Sequence, residues 1–380
     1  MGKGRFCREF AVKTNKIMDL NTVKTVVVKI GTSTLTYENG KMNLRRIDKL
    51  CRTLCDLQNG GRRIVLVTSG AIGVGMGKLG LPERPDDTAK KQALAAIGQC
   101  ELMFAYDKFF GEYHQNVAQV LLTADVTSQP ISRRNVENTF RELLDMNVIP
   151  IVNENDTVAV DELEGRNFGD NDTLAAMVAT SIHADLVVLL SDIDGLYTAD
   201  PRKNEDAELL DTVSKMSEEI ENGAGGVGSR SGSGGMITKI AAARVLMAAG
   251  IPMVICEGRR RGAVTDAVHG RRVGTTFFDE SSNGLAARKS WIALGGKVKG
   301  CVSCDDGAVD ALLNHGGSLL PVGIVAIEGT FKAGDPVDVV DLQGRIIGRG
   351  LAGYSTMELA RLLGEHGARE FINRDELVIF

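Results

Sequence analysis

The sequence predicts an α/β protein with an open, mainly parallel sheet sandwiched by helices, followed by a small, mostly β module. Two observations predict the sheet: β-branched apolar runs recur along the chain, and glycine-containing turns that open helices follow them. The third observation is that short strand-like segments with frequent turns replace this pattern near residue 295. A chain of 380 residues is long enough for both units.

The larger unit is predicted to begin with a strand over residues 23–30, whose core reads TVVVKI. The first helix is expected over residues 44–59, because apolar side chains recur there at helical spacing and Gly60-Gly61 supplies a stop. Further strands are predicted over residues 64–67, 117–123, 148–152, 186–190 and 253–256, and further helices over residues 90–110, 133–146, 173–184 and 239–250. The smaller unit is predicted to contain β segments over residues 297–304, 323–327, 336–341 and 345–350.

Composition excludes several classes of function. Hydrophobic residues at 43% and charged residues at 24% are typical of a globular protein, and the net charge of -5 gives no general reason to expect nucleic-acid binding. No charge-free apolar run reaches the ~18 residues of a membrane span. The basic first 17 residues lack an apolar segment, so no signal peptide is predicted. We expect a cytoplasmic protein whose translation begins at Met1 or Met18.

The seven cysteines are odd in number and widely scattered, so no disulfide framework is predicted. Cys301-Val-Ser-Cys304 is the only CxxC pair, and His315 is the only further ligand nearby, whereas structural zinc takes four ligands. No metal site built by protein side chains is therefore expected.

Two nucleotide-binding motifs are excluded by their context or their absence. Gly75-Met-Gly77-Lys-Leu-Gly80 matches the dinucleotide-binding spacing, but it falls at the end of a helical stretch rather than directly after a strand. No GxxxxGK[ST] occurs in the sequence, which excludes a P-loop enzyme.

An acidic, carboxamide-rich stretch over residues 149–173 is the main candidate for a ligand site. It begins within a predicted strand and continues directly after it. From Glu154 to Asp172 it contains seven carboxylates and one cation, Arg166. Any one of its Asn and Asp residues fits turn or capping chemistry equally well. Because open α/β sheets bind polar ligands at the carboxyl ends of their strands, we expect this stretch to hold a small zwitterion beside a bound nucleotide.

Two lysines lie beside glycine-containing turns that can accommodate phosphate groups. Lys29 stands inside an apolar strand, where an ammonium group is costly unless it meets an anion or reaches solvent. Lys239 follows the glycine-dense residues 223–239, which are either a flexible loop or an anion-binding helix start. Together with the acidic stretch, the lysines fit phosphoryl transfer, which depends on positioning and charge neutralisation. An acceptor carboxylate is already ionised at pH 7 and needs no protein base.

Six motifs in this order resemble the amino acid kinase family, and within it the enzymes that phosphorylate L-glutamate. They read VVVKIGTS, VTSGAIGVG, VNENDTV, GDND, LSDIDGLYTADPR and SGSGGMITK. A second resemblance, carried by DDGAVDALLNHGGSLLPVGIVAIEG and FKAGDPVDVVD, is to the PUA domain. The implied organisation is an N-terminal extension over 1–22, an amino acid kinase domain over 23–278, a linker over 279–294 and a PUA-like domain over 295–380.

The resemblance implies ATP-dependent phosphorylation of the side-chain carboxylate of L-glutamate to L-glutamyl 5-phosphate, the first step of proline biosynthesis. The implied catalytic residues are Lys29 and Lys239, which would contact the ATP phosphates, and Asp172, which would orient both lysines. The implied glutamate-binding residues are Ser69, Asp156 and Asn171. The implied ATP-binding set is Lys29, Ser191, Asp192, Ser233, Gly234, Gly235, Met236, Ile237, Thr238 and Lys239.

The resemblance also implies partners. Mg2+ would bridge the ATP phosphates rather than sit in a protein cage, and proline would be a feedback inhibitor at the glutamate site. A homo-oligomer, dimer or tetramer, and functional coupling to glutamyl phosphate reductase are expected as well. The relative roles of Asp170 and Asp172 stay open, as do the closing strands of the PUA-like domain, because the chain ends early at Phe380.

Two alternatives belong to different classes. Another amino acid kinase, acting on acetylglutamate, aspartate or carbamate, shares the fold and the chemistry. An RNA-binding protein is suggested by the PUA-like module, since such modules usually bind RNA. However, residues 295–380 carry eight Lys/Arg and twelve Asp/Glu, whereas an RNA-binding surface normally has a basic face. RNA binding is therefore not expected as the main function.

Overall fold

The computed structural model describes residues 23–37, 40–123, 130–158, 171–199, 201, 204, 206–216, 220, 235–279, 298–365 and 367–379. The described strands are β1 Thr25–Ile30, β2 Arg63–Val67, β3 Val117–Leu122, β4 Ile149–Glu154, β5 Leu186–Ser191, β6 Thr212–Val213, β7 Met253–Glu257, β8 Gly274–Phe277, β9 Gly300–Cys304, β10 Ile324–Gly329, β11 Pro336–Val340, β12 Ile346–Leu351 and β13 Leu377–Ile379. The described helices are α1 Thr32–Leu35, α2 Leu44–Asn59, α3 Ala71–Leu79, α4 Thr88–Gly111, α5 Pro130–Asp145, α6 Asn171–Ser181, α7 Met236–Ala248, α8 Ala263–Val268, α9 Asp306–Asn314 and α10 Thr356–Leu362. Two short 3-10 turns cover Pro321–Gly323 and Arg374–Glu376.

The predicted α/β class is confirmed by the larger sheet, whose strand order is β3-β4-β2-β1-β5-β7-β8-β6. The first six strands in this order run parallel to one another. The sequence did not predict β8, which pairs antiparallel with β7, or β6, which pairs with β8. Because the carboxyl ends of β4, β2, β1 and β5 lie side by side, the loops after these four strands share one edge of the sheet.

Helices cover both faces of this sheet. On one face, Val26, Val28 and Ile30 of β1 share an apolar core with α2, α3, α4 and α8. On the other face, Val27 shares a second core with α5, α6 and α7. Because successive side chains of a strand point to opposite faces, Lys29 lies on the face of Val27, under α6 and α7. This alternation therefore decides which helices can reach the lysine.

Helix α2 shows how the sequence specifies a local element, since its bounds match the predicted residues 44–59. The Asn43 side chain accepts a hydrogen bond from the backbone N–H of Arg46 and caps the first turn. Buried Ile47, Leu50 and Leu54 recur at helical spacing and face the sheet. Gly60 follows the last residue, in agreement with the predicted stop.

The glycines rejected as a dinucleotide motif lie in α3, where they allow close helix packing. A Cβ atom added to Gly75 would lie 2.1 Å from the carbonyl oxygen of Leu94 in α4. On the facing helix, a Cβ atom added to Gly98 would lie 1.7 Å from the carbonyl oxygen of Ala71. The two backbones thus touch directly, which fixes the position of α4 against the sheet edge.

The smaller sheet has the order β10-β9-β11-β12-β13 and encloses its own apolar core. Its strands pair antiparallel except for β9 with β11. The closing strand that the sequence left open is present as β13, which pairs with β12. Cys304 on β9 is buried in this core, and Cys301 is only partly exposed.

We expect Gly98→Ala to destabilise the protein by at least about 2 kcal/mol, because the new methyl group has no space beside the carbonyl of Ala71. The matched control is Gly111→Ala in the last turn of the same helix, where the added Cβ has no atom within 4 Å apart from its chain neighbours and its own helix backbone. That substitution should be neutral or stabilising by up to about 1 kcal/mol, since alanine favours helix. Urea unfolding measures both, and equal midpoints would contradict the packing argument.

Candidate active site

A buried carboxylate between two lysines lies at the shared edge of the large sheet. Asp172, in the first turn of α6, has 0% relative exposure. Its Oδ1 atom lies 2.6 Å from Nζ of Lys29, and its Oδ2 atom lies 3.0 Å from Nζ of Lys239. Both lysines are also buried. Of the two expectations for Lys29 in an apolar strand, the first is met: its ammonium group pairs with an anion inside the protein and does not extend to solvent.

Three elements bring these charges together. Lys29 is held by β1, where its Cα pairs with Val67 of β2 on one side and Leu189 of β5 on the other. Asp172 lies in the first turn of α6, which packs against β1 and against α7. Lys239 lies in the first turn of α7, which begins after Gly235. The side chains are far apart in sequence, and packing of α6 and α7 on one sheet face makes them neighbours.

The start of α7 adds donors that point out of the helix. Gly235 precedes the helix in an extended conformation and, as a glycine, adds no side-chain cap. The Thr238 hydroxyl lies 3.2 Å from Oδ2 of Asp172 and donates to the carbonyl oxygen of Gly235 at 2.9 Å. Backbone N–H groups at a helix start attract anions. This helix end and the two lysines can therefore bind the same anion.

The pKa of Asp172 results from opposing effects. Burial raises the pKa, but the ammonium groups of Lys29 and Lys239 more than offset it and hold the pKa well below the usual range. Because the pKa is lower in the folded chain than in the unfolded chain, ionised Asp172 stabilises the fold. This contribution is complete above the ordinary pKa of about 4 and is lost as the pH falls from there through the lowered value.

An asparagine beside Asp172 presents one defined atom to the loop edge. The amide nitrogen of Asn171 donates to the backbone carbonyl of Thr68 at 2.6 Å and to Oδ1 of Asn153 at 3.0 Å. Both N–H bonds of this amide are thus engaged with the protein. Among the described residues, none donates to Oδ1 of Asn171. This oxygen is the atom that can accept a hydrogen bond from a ligand.

The other predicted ligand residues lie at neighbouring strand ends. The Ser69 hydroxyl, after β2, donates to the carbonyl of Ile30 at 3.2 Å and lies 3.2 Å from the Thr32 hydroxyl. Asp156 lies just beyond β4 and is half-buried. Buried Ser191 ends β5, and its hydroxyl donates to exposed Asp192 at 3.2 Å.

Part of the predicted ATP set can be placed, and part lies outside the described residues. Gly235, Met236, Ile237 and Thr238 form the start of α7 together with Lys239. Ser233 and Gly234 fall outside the described residues, as do Asp170, the N-terminal extension and most of the predicted linker. Asp172 is the carboxylate that contacts both lysines, so its position distinguishes it from a simple capping residue.

Sequence reasoning missed the contact of Asn153 with Asn171. The motif VNENDTV drew attention to four polar residues at the end of β4 without ranking them. Asn153 is the one that points into the protein, with 1% relative exposure. β4 is buried from Ile149 through Asn153, so no alternation of polar and apolar residues along the strand marked Asn153 as inward-facing.

No metal cage is present in the described part of the chain. Among the residues from Val23 onward that the structure describes, no three His, Cys, Asp or Glu side chains are grouped to hold a metal ion. No described helix is long and apolar enough to cross a membrane.

Comparisons with known proteins assign a separate family to the part of the chain that forms most of each sheet. The family model described as "Amino acid kinase family" matches residues 24–257, and the PUA domain model matches residues 300–369. The predicted domain limits themselves stay predictions. The chain is 47% identical to glutamate 5-kinase from Caldanaerobacter subterraneus subsp. tengcongensis, with 93% of this chain and 97% of that protein covered. It is 46% identical to glutamate 5-kinase from Carboxydothermus hydrogenoformans, with 95% and 98% covered.

Replacing Asp172 with asparagine should destabilise the protein by about 3–5 kcal/mol, because two buried ammonium groups lose their counter-ion. Asp145→Asn is the matched control, since Asp145 pairs with Arg63 at 2.9 Å on the surface, with half of each side chain exposed. An exposed pair contributes about 1 kcal/mol or less. Urea unfolding at neutral pH measures both variants, and similar losses would show that the buried pairs have no special role in stability.

Proposed function

This chain belongs to the amino acid kinase family, and we propose that it transfers the terminal phosphoryl group of ATP to the side-chain carboxylate of L-glutamate. The product is L-glutamyl 5-phosphate, and the reaction is the first step of proline biosynthesis. The observation that carries the proposal is the buried arrangement of Lys29, Asp172 and Lys239 beside the start of α7.

Lys29 and Lys239 are proposed to bind the phosphates and to stabilise the transferring group. That group carries negative charge spread over its oxygens, so fixed cations lower the barrier. Lysine suits this role as a compact point charge with three donors. Asp172 contacts the ammonium group of each lysine and thereby orients the other N–H groups of both toward the phosphates. The backbone N–H groups of α7, with Ser191 and Asp192 at the end of β5, complete the proposed nucleotide site.

Ser69, Asp156 and Asn171 are proposed to hold glutamate. A glutamate zwitterion offers an ammonium group to acceptors and two carboxylates to donors. Asp156 and Oδ1 of Asn171 supply acceptors, and the Ser69 hydroxyl supplies a donor when it rotates away from the carbonyl of Ile30. The acceptor carboxylate is ionised at neutral pH and can attack phosphorus directly, forming the new P–O bond as the bond to ADP breaks.

Mg2+ is proposed to enter with ATP and to neutralise charge on its phosphates. Asp192 at the end of β5 is exposed and could offer a carboxylate oxygen, the kind of ligand that Mg2+ prefers. The protein groups described above then position the phosphates and the acceptor.

The test of the reaction is a hydroxylamine trap for the acyl phosphate, with ATP, Mg2+ and L-glutamate. Lys239→Ala should lower kcat by at least about 100-fold, because it removes a charge aimed at the transferring group. The matched control is Lys108→Ala, an exposed lysine in the last turn of α4, which should leave turnover unchanged.

Aspartate, N-acetylglutamate and carbamate form the comparison panel. Hydroxamate formed with glutamate alone supports the proposed substrate. Turnover with another acid would keep the phosphoryl-transfer chemistry and overturn the substrate. If the wild-type chain turned over none of these acids, the kinase proposal itself would fail.

Proline is proposed to inhibit by occupying the glutamate site, as expected from the resemblance. Its ammonium and carboxylate groups match the main-chain groups of glutamate. Raising proline in the same assay should therefore raise the apparent KM for glutamate and leave kcat unchanged. Inhibition that lowers kcat at saturating glutamate would place proline elsewhere.

Assembly and location complete the proposal. We propose a homo-oligomer, either a dimer or a tetramer, and light scattering would identify which. We also propose functional coupling to a glutamyl phosphate reductase, which a coupled assay with a trap for the free intermediate would detect. The six cysteines in the described part are free thiols, which fits a reducing cytoplasm. Cell fractionation would test that location.

A further inference from the structure

A chain of side-chain amides leads from α4 to the proposed glutamate site. The amide nitrogen of Asn153 donates to Oε1 of Gln99 on α4 at 2.8 Å. Oδ1 of Asn153 accepts from the amide nitrogen of Asn171 at 3.0 Å. That same nitrogen donates to the backbone carbonyl of Thr68 at 2.6 Å. The three amides thus form one continuous series that ends at the outward-facing oxygen of Asn171.

The direction of this series is fixed by a backbone group. The carbonyl of Thr68 can only accept, so Asn171 must turn its nitrogen inward. Oδ1 of Asn153 must then face the second N–H of Asn171, which leaves the nitrogen of Asn153 facing α4. Position 99 must therefore offer an oxygen to that nitrogen. A side chain without an acceptor at position 99 would leave the buried N–H of Asn153 unpaired or allow the amide to rotate.

Gln99 itself provides a second observation. Its Nε2 atom is buried and has no hydrogen-bond partner among the described residues. An unpaired buried N–H destabilises the fold, so a site that served packing alone would favour an apolar side chain. The glutamine thus carries a cost in stability, and its one engaged side-chain atom is the oxygen that faces Asn153. Neighbouring Gly98 holds this turn of α4 against Ala71, which fixes where that oxygen lies.

We propose that Gln99 is a positioning residue that acts through Asn153 to keep Oδ1 of Asn171 directed at the ammonium group of glutamate. The inference rests on the proposed function, because it assigns a role within that substrate site. It concerns glutamate and not ATP, since the proposed nucleotide residues lie on β1, β5 and α7 and none of them belongs to the amide series.

The test compares KM values in the hydroxylamine assay with the full-length chain. Gln99→Leu should raise the KM for glutamate about tenfold, the effect of one lost hydrogen bond to a buried polar group, while the KM for ATP stays within about twofold. Gln99→Glu keeps an oxygen for Asn153 and should keep the KM for glutamate within about threefold of wild type. Calorimetric titration of glutamate should give the same order of affinities.

The matched control is Tyr106→Phe, on the same face of α4 seven residues later. The Tyr106 hydroxyl is 2.8 Å from the hydroxyl of Thr68, whereas Asn171 is held by the carbonyl of Thr68. This variant loses a buried hydrogen bond between α4 and the Thr68 side chain, and it leaves the hydrogen bonds of the amide series in place. It should lower the unfolding midpoint and leave the KM for glutamate unchanged.

Each outcome separates the inference from the proposed function. An active wild type with an unchanged KM for glutamate in Gln99→Leu overturns the role of Gln99 alone. Equal increases for both substrates, or a Gln99→Glu variant as poor as Gln99→Leu, also overturn it. If Gln99→Leu fails to fold, Gln99→Met replaces it as a flexible apolar side chain of similar length. An inactive wild type overturns the proposed function and this role together.

Discussion

The pairing of one buried carboxylate with two ammonium groups is the constraint on which the rest of this structure depends. An isolated charge inside a protein is expensive, and removing any one partner leaves another uncompensated. Asp172 therefore needs the side chains of Lys29 on β1 and Lys239 on α7 on the same side of the sheet. Each lysine in turn needs α6 on that side, because α6 carries Asp172. The order of strands and the alternation along β1 satisfy all three requirements at once. The charges of the site can therefore be paired only in a sheet with this topology.

Much of the fold follows from local patterns in the sequence. The run around Val26 to Ile30 and the spacing of Ile47, Leu50 and Leu54 specify a strand and a helix from neighbouring residues alone. Strands β6 and β8 were missed because their short segments lack such a pattern, and their pairing depends on partners distant in sequence. The last strand, β13, is three residues long and is defined by its contact with β12.

The candidate site divides in the same way. The sequence indicated Lys29 because an ammonium group in an apolar run is an anomaly, and it indicated Lys239 because glycines precede it. It could not show that both contact Asp172, since that contact spans 143 and 67 residues. Gln99 carried no signal at all. Its environment is made by β4 and by the glycine contact between α3 and α4, and neither is visible in the residues beside it.

The buried charges have a consequence for ions in solution. Two ammonium groups and one carboxylate leave a net charge of +1 on the buried group of Lys29, Asp172 and Lys239 before any ligand binds. Salt screens charges that are exposed, but it reaches buried groups poorly. The site therefore behaves like a single anion-exchange position inside the protein. Small oxyanions such as sulfate should compete for that position by occupying it, rather than by lowering the surrounding electrostatic potential.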